Sequence, residues 1–142
     1  MSEVTSLITE EDKEVAKIIY DIAKDLRQNL VSTAAFKPID WYKERLDRLT
    51  GAFMYVTSRF NQLHALRKNN CVSAFIQYQQ DCTVAGDKFV VATAERIADN
   101  QIKEVYEAEK FFEGLREGSE QGVMTIKKNM DILSIELQRE AR

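Results

Sequence analysis

Arg48, Arg59, Arg67 and Lys68 lie in a stretch of 33 residues, 48 to 80, that contains no aspartate or glutamate, in a chain of 142 residues with 23 acidic groups. Phe53, Tyr55, Phe60, Phe75 and Tyr78 are spaced among them. Guanidinium and ammonium groups attract phosphate or carboxylate, and aromatic rings and amides add stacking and hydrogen bonding. The combination therefore reads as a surface for a polyanion. With Lys43 and Arg45 just upstream, the candidates for such contacts are Lys43, Arg45, Arg48, Tyr55, Arg59, Arg67 and Lys68. The competing reading is the solvated face of an amphipathic helix, with Arg67 and Lys68 at its C-terminal end, where cations favour the helix dipole. The missing acids do not follow from helix design, which normally supplies counter-charges four residues away.

The charge is local. Residues 1–36 hold four basic and seven acidic groups, residues 37–68 seven and three, and residues 69–142 nine and thirteen. The balance runs −3, +4, −4, within a net charge of −3. A chain of that sign is no indiscriminate nucleic-acid binder. Its basic middle must either hold an anionic ligand locally or pair with an acidic protein surface. Among nucleic acids, single strands fit better than duplex, because helix-turn-helix and zinc-finger spacings are missing while arginine and lysine with tyrosine, phenylalanine and amide side chains suit backbone tracking and base stacking. So few cations per chain require several subunits acting together.

Bond-making chemistry is poorly served. His64 is the sole histidine, and Asn61 three positions before it rules out the Glu-x-x-His pattern of metal-binding bundles. Cys71 and Cys82 have no second cysteine pair for zinc, and on one helix they would stand about 16 Å apart, too far for a disulfide. Gly114, Gly118 and Gly122 lack the lysine and strand context of a phosphate-binding loop. Neither an enzyme nor a cofactor is expected. No apolar run reaches membrane-spanning length, and Met1-Ser2-Glu3-Val4 lacks the pattern of a secretory signal, so the expected location is cytoplasmic with no membrane partner.

The elements that would position these residues are helices. Pro38 is the only proline and glycines number five, which favours long helices in a single helical domain spanning residues 1–142. Thr9-Glu10-Glu11-Asp12 predicts a helix start, followed by an apolar face of Val15, Ile18, Ile19, Ile22, Leu26 and Leu30, with Phe36 folding back onto the core. A second helix opens near Asp40 as N-cap. It carries a heptad seam of Tyr42, Leu46, Leu49, Phe53, Val56, Phe60 and Leu63, ending at Lys68-Asn69-Asn70. A third, 71 to 85, places Val72, Phe75, Ile76, Gln79 and Cys82 on one face, with Gly86-Asp87 as the boundary. Tyr55 and Tyr78 are expected to be exposed. A fourth helix runs over 88–113 and a last over 120–140, the glycines at 114, 118 and 122 interrupting between them in preference to forming a packing strip. The expected fold is all-α: four to five amphipathic helices with heptad-like seams in a bundle, and seams of this length favour a homo-oligomer.

Leu46 to Lys68, ending Ala65-Leu66-Arg67-Lys68, resembles the basic helix of the phage recombination mediators of the UvsY type. The run from Ala98-Asp99 through Ile102, Val105, Phe112, Leu115, Gly118 and Ile126-Lys127 resembles their C-terminal helical region. Together these cover about half of the chain; the net negative charge and the segment 70–87 depart from the pattern. The resemblance implies an oligomer, ring-like, that binds single-stranded DNA and helps a recombinase displace a single-strand-binding protein. It points first to Arg67 and Lys68 and then to Arg59 and His64. The alternative is a structural or protein–protein interaction module (an adaptor, scaffold or inhibitor) whose basic middle docks onto acidic protein and binds no nucleic acid.

Overall fold

The computed structural model describes residues 7–31 and 37–141, without the side chains of 29–31. Leu30 and Phe36, expected on and against the first apolar face, lie outside the described side chains. The regular elements among the described residues are three α-helices: α1 (Glu10–Val31), α2 (Ile39–Ala85) and α3 (Val91–Glu140). The all-α expectation holds, but the count of four to five helices does not. Lys68-Asn69-Asn70 lies within α2, and Gly114, Gly118 and Gly122 lie within α3. Asparagine costs a helix only some tenths of a kcal/mol and glycine about 1 kcal/mol. With no proline after Pro38, neither cluster removes a helical hydrogen bond.

Chain breaks occur where the backbone demands them. Gly86 adopts φ 74°, and the Asp87 N–H donates to the Cys82 carbonyl at 2.9 Å. This is the six-to-one bond of a Schellman cap, which requires the left-handed conformation that glycine tolerates best. At the other end of α2 the Trp41 N–H donates to the Pro38 carbonyl at 3.0 Å. Asp40 therefore sits inside the first turn and not at the cap, still favouring the positive end of the dipole.

The described residues fall into two compact units. One comprises Glu10–Ser58 and Glu113–Arg142; the other is Arg59–Phe112 with residues 7–9. The first packs α1 with the leading part of α2 and the trailing part of α3 around Ile19, Ile22, Leu49, Val56, Leu115 and Ile126, all buried. Leu49 presses on α3 so closely that a Cβ at Gly122 would stand 2.5 Å from its Cδ2, whereas Gly114 and Gly118 face open space. One glycine of the three is thus a packing contact.

The second unit is a hairpin of α2 and α3 about Gly86. Its core is made of Leu63, Ala74 and Cys82 from α2, facing Ala94, Ala98, Val105, Ala108 and Phe112 from α3. Four of these eight side chains are alanine. A buried methyl contributes roughly 0.8 kcal/mol, far less than a leucine, so this hairpin gains little from its own interior.

Candidate functional site

Because α2 continues unbroken past residue 70, its helical phase is fixed by Leu63. Steps of three and four from there reach Arg67, Cys71, Ala74, Tyr78 and Cys82, all buried or half-buried. This phase carries Arg67 toward α3 and away from solvent. The guanidinium Nε donates to Glu109 Oε2 and Nη2 lies 3.4 Å from Oε1 of the same carboxylate, with the guanidinium also 5.9 Å from the Tyr106 ring centre. His64 Nδ1 lies 2.6 Å from Glu109 Oε1. A carboxylate only accepts, so Nδ1 carries the proton. The His64 ring also stacks on Phe60, with centroids 5.8 Å apart.

Glu109 itself is 5% exposed. Burial alone would raise its pKa, but the hydrogen bonds from Arg67 and His64, with their charges, outweigh this and hold it below the usual carboxylate range. The bond to Glu109 in turn raises the Arg67 pKa above its ordinary value. The expectation that Arg67 and Lys68 close a helix is therefore corrected. Both are internal to α2, and only Lys68 is exposed.

Other candidate groups are likewise turned to internal partners. Arg59 Nη2 donates to the Leu7 carbonyl at 2.7 Å and Nη1 to Gln62 Oε1 at 3.0 Å. Arg45 Nε donates to Asp25 Oδ2 at 3.2 Å while its guanidinium lies 3.7 Å over the Trp41 ring. Tyr55 was expected to be exposed; it is half-buried, and its hydroxyl donates to Asp12 Oδ1 at 2.6 Å, where Asp12 is fully buried. Tyr78, also expected outside, is half-buried against Phe89 at 5.2 Å between ring centres. Lys43, Arg48 and Lys68 are exposed, Arg48 lying 3.9 Å from Glu44 Oε1. Lys43, Arg45, Arg48 and Tyr55 belong to the first unit, and Arg59, His64, Arg67 and Lys68 to the second. Among them, His64 and Arg67 converge on Glu109.

Two acidic partners escaped the sequence reading although their spacing marks them. Glu109 follows Val105 by four and Ile102 by seven, on the stripe that faces inward. Asp12 precedes Ala16 by four and Ile19 by seven. A charge at an apolar register position signals a buried polar partner.

The same phase corrects the expected inner face of residues 71–85 in part: Cys82 is buried and Phe75 half-buried, as expected, but Val72, Ile76 and Gln79 are turned outward. Val72 and Ile76 are 59% and 50% exposed, and Gln79 is exposed, while Ala74 and Cys82 are buried. On the side of α2 turned away from α3, Ala65, Asn69, Val72, Ile76, Gln79 and Thr83 are all exposed. They are spaced four, three, four, three, four. The acid-free stretch thus yields an outer heptad stripe without charge, edged by Lys68 alone.

Among the described residues no group of three or more histidine, cysteine, aspartate or glutamate side chains is arranged to hold a metal ion, and both cysteines are free. No described helix is long and apolar enough to cross a membrane. No family model, curated protein or solved structure matches the chain.

Proposed function

We propose that this chain is a non-enzymatic helical interaction module that works by pairing the outer face of α2 with another helix. The observation that carries this reading is the exposed heptad stripe from Ala65 to Thr83, with Val72 and Ile76 more than half or half open to solvent. A solvated helix face in a chain with 30% charged residues normally carries charge, and this one carries none. Uncharged, β-branched and amide side chains at heptad spacing suit a partner helix.

The placement of the cations supports the same reading. Phosphate contacts need guanidinium and ammonium groups that can leave their present partners. Arg67 and His64 are bound to the buried Glu109, and Arg45 to Asp25. Moving Arg67 to a phosphate would leave Glu109 buried and charged, a cost of about 3 kcal/mol or more. A single-stranded DNA binder of the recombination-mediator kind would have to rely on Lys43, Arg48 and Lys68, the exposed members of the set.

Fluorescence anisotropy with single- and double-stranded oligonucleotides over a salt series separates the two. The interaction module gives no change at low salt. Salt-sensitive binding of single strands, weakened by Lys43→Ala, Arg48→Ala and Lys68→Ala together, would overturn it in favour of the DNA-binding reading.

A further inference from the structure

The geometry points to a second copy of this chain as the occupant of the outer face, paired in parallel and in register along α2. This inference rests on the reading of that face as a helix-docking surface and names its partner.

Lettered as a heptad, the stripe places Asn69, Ile76 and Thr83 at a positions and Ala65, Val72 and Gln79 at d positions. Parallel pairs accept β-branched residues at a, and a lone asparagine at a fixes both register and strand number. Here Ile76 and Asn69 occupy those places one heptad apart. In a parallel two-fold pair every a and d residue meets its own copy. Any charge on the seam would then face its like, and none is present from Ala65 to Thr83. An asparagine or glutamine side chain both donates and accepts, so Asn69 and Gln79 can bond to themselves across the axis, which a lysine or glutamate cannot do.

The flanks agree. Lys68 falls at g and faces position e of the next heptad on the second copy, which is Ser73, a neutral hydroxyl. The other e positions, Leu66 and Gln80, are also neutral. The hairpin's own interior supplies the motive. Half of its core side chains are alanine, and Val72 and Ile76 offer further apolar area on the outside of the same helix.

Sedimentation equilibrium on the full chain tests the pairing, with circular dichroism to confirm helicity. The wild type should show a concentration-dependent monomer–dimer equilibrium, and Ile76→Lys, which places like charges face to face, should weaken it at least tenfold with helicity retained. Asn69→Ile, which replaces the self-paired amide by packing, should tighten association. Orientation is read by Gln79→Cys in a Cys71→Ser background, where mild oxidation should give a symmetric disulfide dimer. A wild type that stays monomeric at high concentration, an Ile76→Lys variant that associates as before, or a cross-link that forms only at random-collision rates would each overturn the proposal. A monomer that also ignores oligonucleotides leaves the docking-module reading standing and removes only the second copy. A dimer that binds single strands keeps the second copy on this face and overturns only the claim that the chain ignores nucleic acid.

Discussion

Arg67 and Glu109, 42 positions apart in sequence, close a guanidinium–carboxylate pair on the inner side of the α2–α3 hairpin, and His64 completes it from one turn earlier. A residue that sequence alone nominates for an external anion is thus supplied with an internal one. This substitution of partners takes Arg67 and His64 away from the outer side of α2, where Lys68 stands at the edge of the uncharged stripe.

Removing the carboxylate should expose that dependence. Glu109→Gln leaves the Arg67 and His64 donors facing a weaker acceptor, in a site where the Glu109 side chain is 7% exposed and Arg67 25%. The expected loss is about 2 kcal/mol, below the roughly 3–5 kcal/mol of a fully buried pair because Arg67 keeps some access to water. Chemical denaturation of the variant and the wild type measures it. A loss within experimental scatter of zero would show that the pair does not hold the hairpin together.

The same group sets an acid limit. The Glu109 carboxyl lies below its ordinary value of 4.5 in the folded chain, so the unfolded state binds protons more readily in the interval between the two values. Stability from this group is then complete above pH 4.5 and is lost as pH falls through the folded value. The urea midpoint should drop below that pH, and the drop should be smaller in Glu109→Gln. Identical pH profiles for the two proteins would contradict the assignment.

Continuity of α3 can be tested at its glycines. Gly114 and Gly118 face open space, so alanine there should stabilise the helix by up to about 1 kcal/mol each. Gly122→Ala should not share that gain, because its Cβ would stand 2.5 Å from Cδ2 of the buried Leu49. Thermal melts of the three single variants give the order. Equal shifts at all three positions would mean that Leu49 yields freely.

Much of this fold is legible in the residues themselves. The helix start at Thr9 and Glu10, the inner seam from Tyr42 to Leu63 and the break at Gly86-Asp87 all follow from local rules of capping, spacing and left-handed backbone. The number of helices is not, because a polar Lys68-Asn69-Asn70 run and three glycines weaken a helix without breaking it, and packing such as Leu49 on Gly122 decides the outcome. That one misreading propagates. Ending α2 at residue 68 frees the phase of the following segment, and Val72 and Ile76 then look like core because they are apolar. With the helix unbroken, Leu63 dictates that Ala74 and Cys82 point inward and that Val72 and Ile76 point out. Arg67 is carried inward by the same step. Its partner Glu109 lies in another helix, and no local rule connects the two.

The most direct measurement of what the outer face does is the rate at which a thiol placed on it reacts. With Val72→Cys in a Cys71→Ser background, and Arg48→Cys in the same background as a control, labelling by a neutral maleimide is followed from dilute to concentrated protein. The account predicts that position 72 is protected several-fold as concentration rises while position 48 is unchanged. A rate at position 72 independent of concentration, or protection that appears at position 48 instead, would contradict it.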